Sequence, residues 1–245
     1  MADRVVQLRE HRLTGPAIAS HLQLPRSTVG AILRRAGLGR LRPKAPDEPV
    51  RRYEWRRPGD LIHLDIKKLG RFSAPGHRAT GTRLRTHRTR GAGWDFIHVC
   101  VDDHSRLAYV EVLANEKKET AVAFLKRARV WLAGHGITVE RVMTDNGACY
   151  RSNDFRKLVA ASGAKHIFTK PYTPRTNGKA ERFIQTLQRE WAYGRVYQSS
   201  AERNERLWDW LNYYNHQRLH GGIGHQPPIS RIDSSNRNNG PGHDN

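Results

Sequence analysis

Cysteine is nearly absent: Cys100 and Cys149 are the only two in 245 residues. A disulfide-stapled scaffold is therefore excluded, and a reducing cytoplasm is the expected setting. Long apolar runs are missing as well. None approaches the roughly 20 residues that a membrane-spanning helix needs, so no membrane association is expected. The opening Met1-Ala2-Asp3-Arg4 carries no apolar stretch of the signal-peptide kind. Acidic residues are scarce, 23 Asp and Glu against 43 Lys and Arg, for a formal net charge of +20. That imbalance makes a polyanion the default partner, and double-stranded DNA fits it. A hydrophobic content of 37% is low but sufficient for a core.

The chain divides by pattern. Residues 1–40 predict a small helix-turn-helix unit. Val5, Val6 and Leu8 mark a first helix; Thr14 caps a second, with Pro16 in its first turn; Gln23-Leu24-Pro25 makes a tight turn. A third helix follows, with Val29, Ile32 and Leu33 inward and Gly37 as its stop. It presents Arg26, Ser27 and Thr28 at its start and Arg34 and Arg35 near its end, the positions a recognition helix offers to a major groove. A generic three-helix packing unit is the plainer alternative. Residues 41–60 read as a Pro/Arg-rich linker, 61–232 as the main domain, and 233–245 as a disordered tail.

Within 61–232 the elements alternate. Strand patterns cover 61–68, 94–102 and 106–113, the last two forming a hairpin through Asp103-His104-Ser105. Ala121, Phe124, Leu125, Ala128 and Leu132 recur at helical spacing up to Gly134. A strand is expected at 139–144, then a helix capped by Ser152 and closed by Gly163, then a strand at 164–169, then helices at about 177–193 and 203–216. The order β-β-β-α-β-α-β-α-α predicts an α/β fold: a ribonuclease-H-like mixed five-stranded sheet flanked by helices and preceded by the all-α unit.

Three carboxylates stand out in this frame. Asp65 lies in the first strand, Asp145 at the end of the fourth, and Glu181 near the start of a helix whose inner stripe is Ala180, Phe183, Ile184, Leu187 and Trp191. Phosphodiester chemistry needs an activated oxygen nucleophile and a stabilised leaving oxygen, which two divalent ions supply. Hard ions such as Mg²⁺ take oxygen ligands, so Asp and Glu are the residue types required. Taken singly, each has an ordinary reading: Asp145 before Asn-Gly as turn chemistry, Glu181 as a helix-dipole residue. Asp102 and Asp103 read as hairpin-turn residues. His63 shares a strand face with Asp65 and is either a border of the site or a packed histidine.

The chain resembles the DDE transposases of bacterial insertion sequences, whose core is similar to the retroviral integrase catalytic domain. The matching residues are His63-Leu64-Asp65-Ile66-Lys67-Lys68-Leu69-Gly70, Asp102-Asp103-His104-Ser105-Arg106, Thr144-Asp145-Asn146-Gly147 and Pro171 through Arg182, together with Trp210-Leu211-Asn212-Tyr213-Tyr214-Asn215, Arg218, His220 and Pro227-Pro228. Thirty-five residues separate Asp145 from Glu181. The resemblance implies that Asp65, Asp145 and Glu181 are catalytic and bind metal, two Mg²⁺ or Mn²⁺ ions. It implies cleavage at element ends, transfer of the 3′-hydroxyl strand to target DNA, a homo-oligomer of at least two copies, and a bacterial, nucleoid-associated location. Such proteins often carry more sequence upstream, and Leu219 stands where proline is commoner.

Further DNA contacts are expected from Arg83, Arg85, Arg88 and Arg90, in a long 69–93 loop without acidic residues, and from Lys170, Arg175 and Lys179 around the start of the Glu181 helix. Two other functions fit the same features. One is a DNA-binding repressor of its own element; the other is a structure-selective nuclease, which has no need of the N-terminal unit.

Overall fold

A computed structural model describes residues 1–41, 53–75, 81, 93–169 and 177–232. Arg83, Arg85, Arg88, Arg90, Lys170 and Arg175, most of the linker and the 233–245 tail lie outside the described residues. The chain forms two compact units, Met1–Arg52 and Tyr53–Asn245.

The first unit holds α1 (Ala2–Glu10), α2 (Gly15–Leu22) and α3 (Arg26–Arg35). Thr14 Oγ1 accepts from the Ala17 amide at 3.4 Å and so caps α2. Gln23 turns through the left-handed region at φ 52° and ends it. Val5, Ile18, Val29 and Leu33 meet in a small core. Arg9 locks its edge, donating to the carbonyls of Leu13 (2.9 Å), Leu38 (3.0 Å) and Gly39 (3.2 Å).

The second unit is built on a five-stranded sheet in the order β3-β2-β1-β4-β5. β1 (Ile62–Gly70), β2 (Trp94–Asp102) and β3 (Ala108–Leu113) run antiparallel; β4 (Arg141–Thr144) and β5 (Lys165–Phe168) join in parallel. The short turn between β2 and β3 permits only antiparallel pairing, while helical crossovers return β4 and β5 parallel to β1. Alternation along β2 supplies both faces. His98 and Cys100 face α4 (Lys118–Gly134), α5 (Ala148–Arg151) and α6 (Asn153–Ala161). Ile97, Val99 and Val101 face α7 (Gly178–Leu187) and α9 (Leu207–His216). Phe183, Ile184 and Leu187 seat α7 on the sheet, each burial contributing about 1.5–3 kcal/mol.

Strand bounds shift by one or two residues from expectation, a short helix at Ala148–Arg151 is added, and two helices differ more. The helix expected over 177–193 ends at Leu187 and continues as a wider turn, Gln188–Ala192, in which Trp191 Nε1 donates to the Arg203 carbonyl at 2.8 Å. The helix expected over 203–216 is two, α8 (Ser200–Glu205) and α9, because Ser199 caps an earlier start and buried Arg203 donates to Asp95 of β2 at 2.7 Å.

Candidate active site

The register of the parallel β1–β4 pair, Ile62 with Val142 and His63 with Met143, brings Asp65 level with Asp145 when carried two residues further. Asp65 is part-buried in β1 and accepts from the Ile66 amide at 2.7 Å. Asp145 is exposed just beyond β4, in a turn its own side chain makes: Oδ1 accepts from the Gly147 amide at 2.9 Å. A side chain at position 147 would displace the carboxylate of Asp145. A Cβ on Gly147 would lie 2.9 Å from that same oxygen. Asn146 Nδ2 ties the turn to the Thr169 carbonyl at 3.0 Å.

Asp65 and Asp145 line one open pocket of about 270 Å³ with Glu116, Cys149 and Tyr150. Glu181, in the first turn of α7, stands close enough to act on Asp65 electrostatically. Burial raises the Asp65 carboxyl, the Ile66 amide and Lys67 oppose it, and the charges of Asp145 and Glu181 add to it; the balance is a value pushed up to about 6. Glu116 went unread in the sequence. It follows β3 in a mixed charge run with nothing to single it out, and it reaches the pocket paired with Lys68.

Asp65, Asp145 and Glu181 form no ion pair among the described residues, and the charges of Asp145 and Glu181 bear on Asp65, a donor set suited to a hard divalent cation. Among the described residues, no group of three or more His, Cys, Asp or Glu side chains forms a ready metal cage. An open arrangement still fits Mg²⁺, which keeps several waters and binds through one or two carboxylates plus substrate phosphates.

Asp102 and Asp103 are arranged differently. Both are fully buried at the β2–β3 turn. Asp102 accepts from the Gly59 amide and from the amide and hydroxyl of Ser105, all at 2.7 Å. Asp103 accepts from His63 Nε2 at 2.8 Å, the Trp55 amide at 2.8 Å and the Lys179 ammonium. His63 is a packed histidine, with no exposed surface. Lys179 points inward, to Asp103 and the Tyr53 carbonyl. Arg26, Ser27, Thr28 and Arg34 are exposed on α3 of the first unit. No helix among the described residues is long and apolar enough to cross a membrane.

Two models described as integrase core domain match the chain, one over residues 56–174 and one over 162–228. The candidate integrase ORF3 of Spiroplasma virus SpV1-C74 is 25% identical over 152 residues, 57% of this chain and 42% of that protein. The transposase InsD for insertion element IS2A/D/F/H/I/K of Escherichia coli is 29% identical over 86 residues, 35% of this chain and 29% of that protein. The matched regions thus span less than half of either relative. A chain in the cryo-electron microscopy structure of the simian T-cell lymphotropic virus intasome in complex with PP2A regulatory subunit B56 gamma shares the fold at 19% identity and a TM-score of 0.56, covering 94% of this chain and 74% of that one. With its mixed sheet in the order β3-β2-β1-β4-β5 and matches running from residue 56 to residue 228, the chain belongs to the integrase core domain family.

Proposed function

We propose that this chain is a metal-dependent DNA transposase that cleaves at element ends and transfers the exposed 3′-hydroxyl strand to target DNA. The observation that carries the reading is Asp65: a carboxyl pushed up to about 6, sharing a pocket with Asp145 and lying in the field of Glu181. Asp65, Asp145 and Glu181 would hold two Mg²⁺ or Mn²⁺ ions. When bound, the ions supply an activated oxygen nucleophile and stabilise the leaving oxygen. The ionised Asp65 then serves as a ligand, and the Gly147 turn keeps Asp145 aimed at the pocket.

In cleavage, a water oxygen bonds to phosphorus and the bond to the 3′-oxygen breaks, leaving a 3′-hydroxyl and a 5′-phosphate. In transfer, that hydroxyl attacks a target phosphodiester, and the displaced 3′-oxygen takes the proton. Arg26, Ser27, Thr28 and Arg34 on the exposed side of α3 would read the element end. Arg83, Arg85, Arg88, Arg90, Lys170 and Arg175 would hold phosphates. Lys179, paired with buried Asp103, would brace the start of α7 and hold no phosphate. Pairing two ends requires at least a dimer.

The test uses duplexes carrying the DNA on either side of the gene, searched for inverted repeats, incubated with Mg²⁺ and either the intact chain or Asp145→Asn. The intact chain is expected to cleave and join. The variant is expected to lose at least about 100-fold in both while binding DNA as before, because it loses an ion ligand and no phosphate contact. Wild-type rates from Asp145→Asn would overturn the site. Cleavage without joining would replace the reading by a nuclease, and binding without either by a repressor.

A further inference from the structure

Asn177 stands where asparagine ordinarily caps a helix, yet its side chain makes no bond to the first-turn amides of α7. The amide is buried, 4% exposed, and turned toward β1. Its Nδ2 donates to the Leu64 carbonyl at 3.2 Å. A carbonyl can only accept, so this bond fixes the amide's orientation and sets Oδ1 toward His63 Nδ1, 3.0 Å away. The other ring nitrogen of His63 meets Asp103 Oδ1, which also receives the Lys179 ammonium. One connected set of buried polar groups therefore joins β1, the β2–β3 turn and the start of α7.

Its ends are placed tellingly. Leu64 precedes Asp65, and His63 lies two residues before it. Asn177 and Lys179 lie four and two residues before Glu181. None of these groups lines the pocket. The apolar stripe of α7 holds the helix to the sheet, but apolar attraction is non-directional and leaves sliding and rotation weakly opposed. A connected set of directional polar contacts in a dry interior opposes both motions.

We propose that His63 and Asn177 are positioning residues whose buried tie sets the placement of Glu181 relative to Asp65; this rests on reading those carboxylates as ion ligands. A residue serving stability alone would, when lost, lower the folded fraction and leave the folded molecules unchanged in ion affinity and turnover.

The experiment takes the full chain and measures Mn²⁺ binding by calorimetry without DNA, kcat and KM for end cleavage, and thermal unfolding. Asn177→Ala is expected to weaken Mn²⁺ binding at least about 10-fold, as loss of an outer partner of a metal site does. It should also lower kcat about 100-fold, the scale of a misplacement near 1 Å, with KM unchanged. Asn177→Asp keeps an acceptor for His63 but exchanges the donor to Leu64 for an acceptor and a buried charge, so it should recover at most part of both losses. It carries the test where the alanine variant does not fold. His63→Ala with Asn177→Ala should do no more harm than the worse single change, since both cut one tie. Wild-type Mn²⁺ affinity and kcat in folded Asn177→Ala and Asn177→Asp would overturn the inference alone. Absence of Mn²⁺ binding by the unaltered chain would overturn it together with the function on which it rests.

Discussion

Two pairs of aspartates sit in or beside the strands of one sheet and have opposite surroundings. Asp102 and Asp103 are fully buried, and each accepts three hydrogen bonds. Asp65 and Asp145 face a pocket, and each accepts one backbone amide. Burial pushes Asp103 upward, but His63, Lys179 and the Trp55 amide outweigh it and hold the carboxyl down to about 2. Asp65 meets burial with far less compensation and rises. A buried carboxylate with both oxygens engaged builds the fold; one left short of partners at a cavity is available for a ligand.

The sharpest way to break this comparison is to remove one member of each pair. Asp103→Ala strands the His63 ring, the Lys179 ammonium and the Trp55 amide in the interior. Breaking a buried pair this way costs about 3–5 kcal/mol. Asp145→Ala removes an exposed side chain and should stay within about 0.5 kcal/mol. Urea unfolding of both variants at neutral pH reads the difference. Equal losses would show that the two pairs are not distinct in kind.

A second change acts on the pocket pair alone. At Gly147 the backbone, φ −55° and ψ 144°, is open to any residue, so an alanine there meets no strain of its own. Its Cβ would nevertheless crowd Asp145 Oδ1 at 2.9 Å. Gly147→Ala is therefore expected to turn Asp145 away and cut cleavage about 100-fold, while unfolding free energy moves by less than about 1 kcal/mol. Unaltered cleavage would mean that the Asp145 turn does not set the pocket.

What could be read from the sequence is local. The caps at Thr14 and Ser152 and the strand Trp94–Asp102 lie where residue type and periodicity place them. Element order carried the sheet's mixed character. What could not be read is pairing across distance. The His63–Asp103 and His63–Asn177 bonds join residues 40 and 114 positions apart, and no local pattern marks them. Asn177 even carries the signal of a helix cap and spends its amide elsewhere. Glu116 belongs to the same class, since only the fold turns it toward Asp65. The break at Arg206 was hidden because the i, i+3, i+4, i+7 stripe of Leu207, Trp210, Leu211 and Tyr214 shows where apolar contact lies, while Ser199 and Arg203 decide where the helices end.

The smallest effect tests the comparison by its sign. Asp65 titrates at about 6 in the fold against an ordinary 3.8, so the fold accommodates its protonated form better than its charge. That contribution to stability is complete below about pH 4 and is lost as pH rises through about 6. Asparagine resembles the protonated carboxyl and does not titrate. In chelator, Asp65→Asn should therefore match the unaltered chain at pH 4 and exceed it at pH 8, by about 1–2 kcal/mol once the pocket's water is allowed for. Asp103 runs the other way. Its folded value is depressed, so its contribution is present above pH 4 and lost as pH falls through about 2. Asp103→Asn should fall further behind the unaltered chain as pH rises toward 5 and then stay level. Urea midpoints at unit steps from pH 2 to pH 8 give both curves. A flat Asp65→Asn difference between pH 4 and pH 8 would mean that neither burial nor the charges of Asp145 and Glu181 raise the Asp65 carboxyl, and the contrast between the two pairs would reduce to exposure alone.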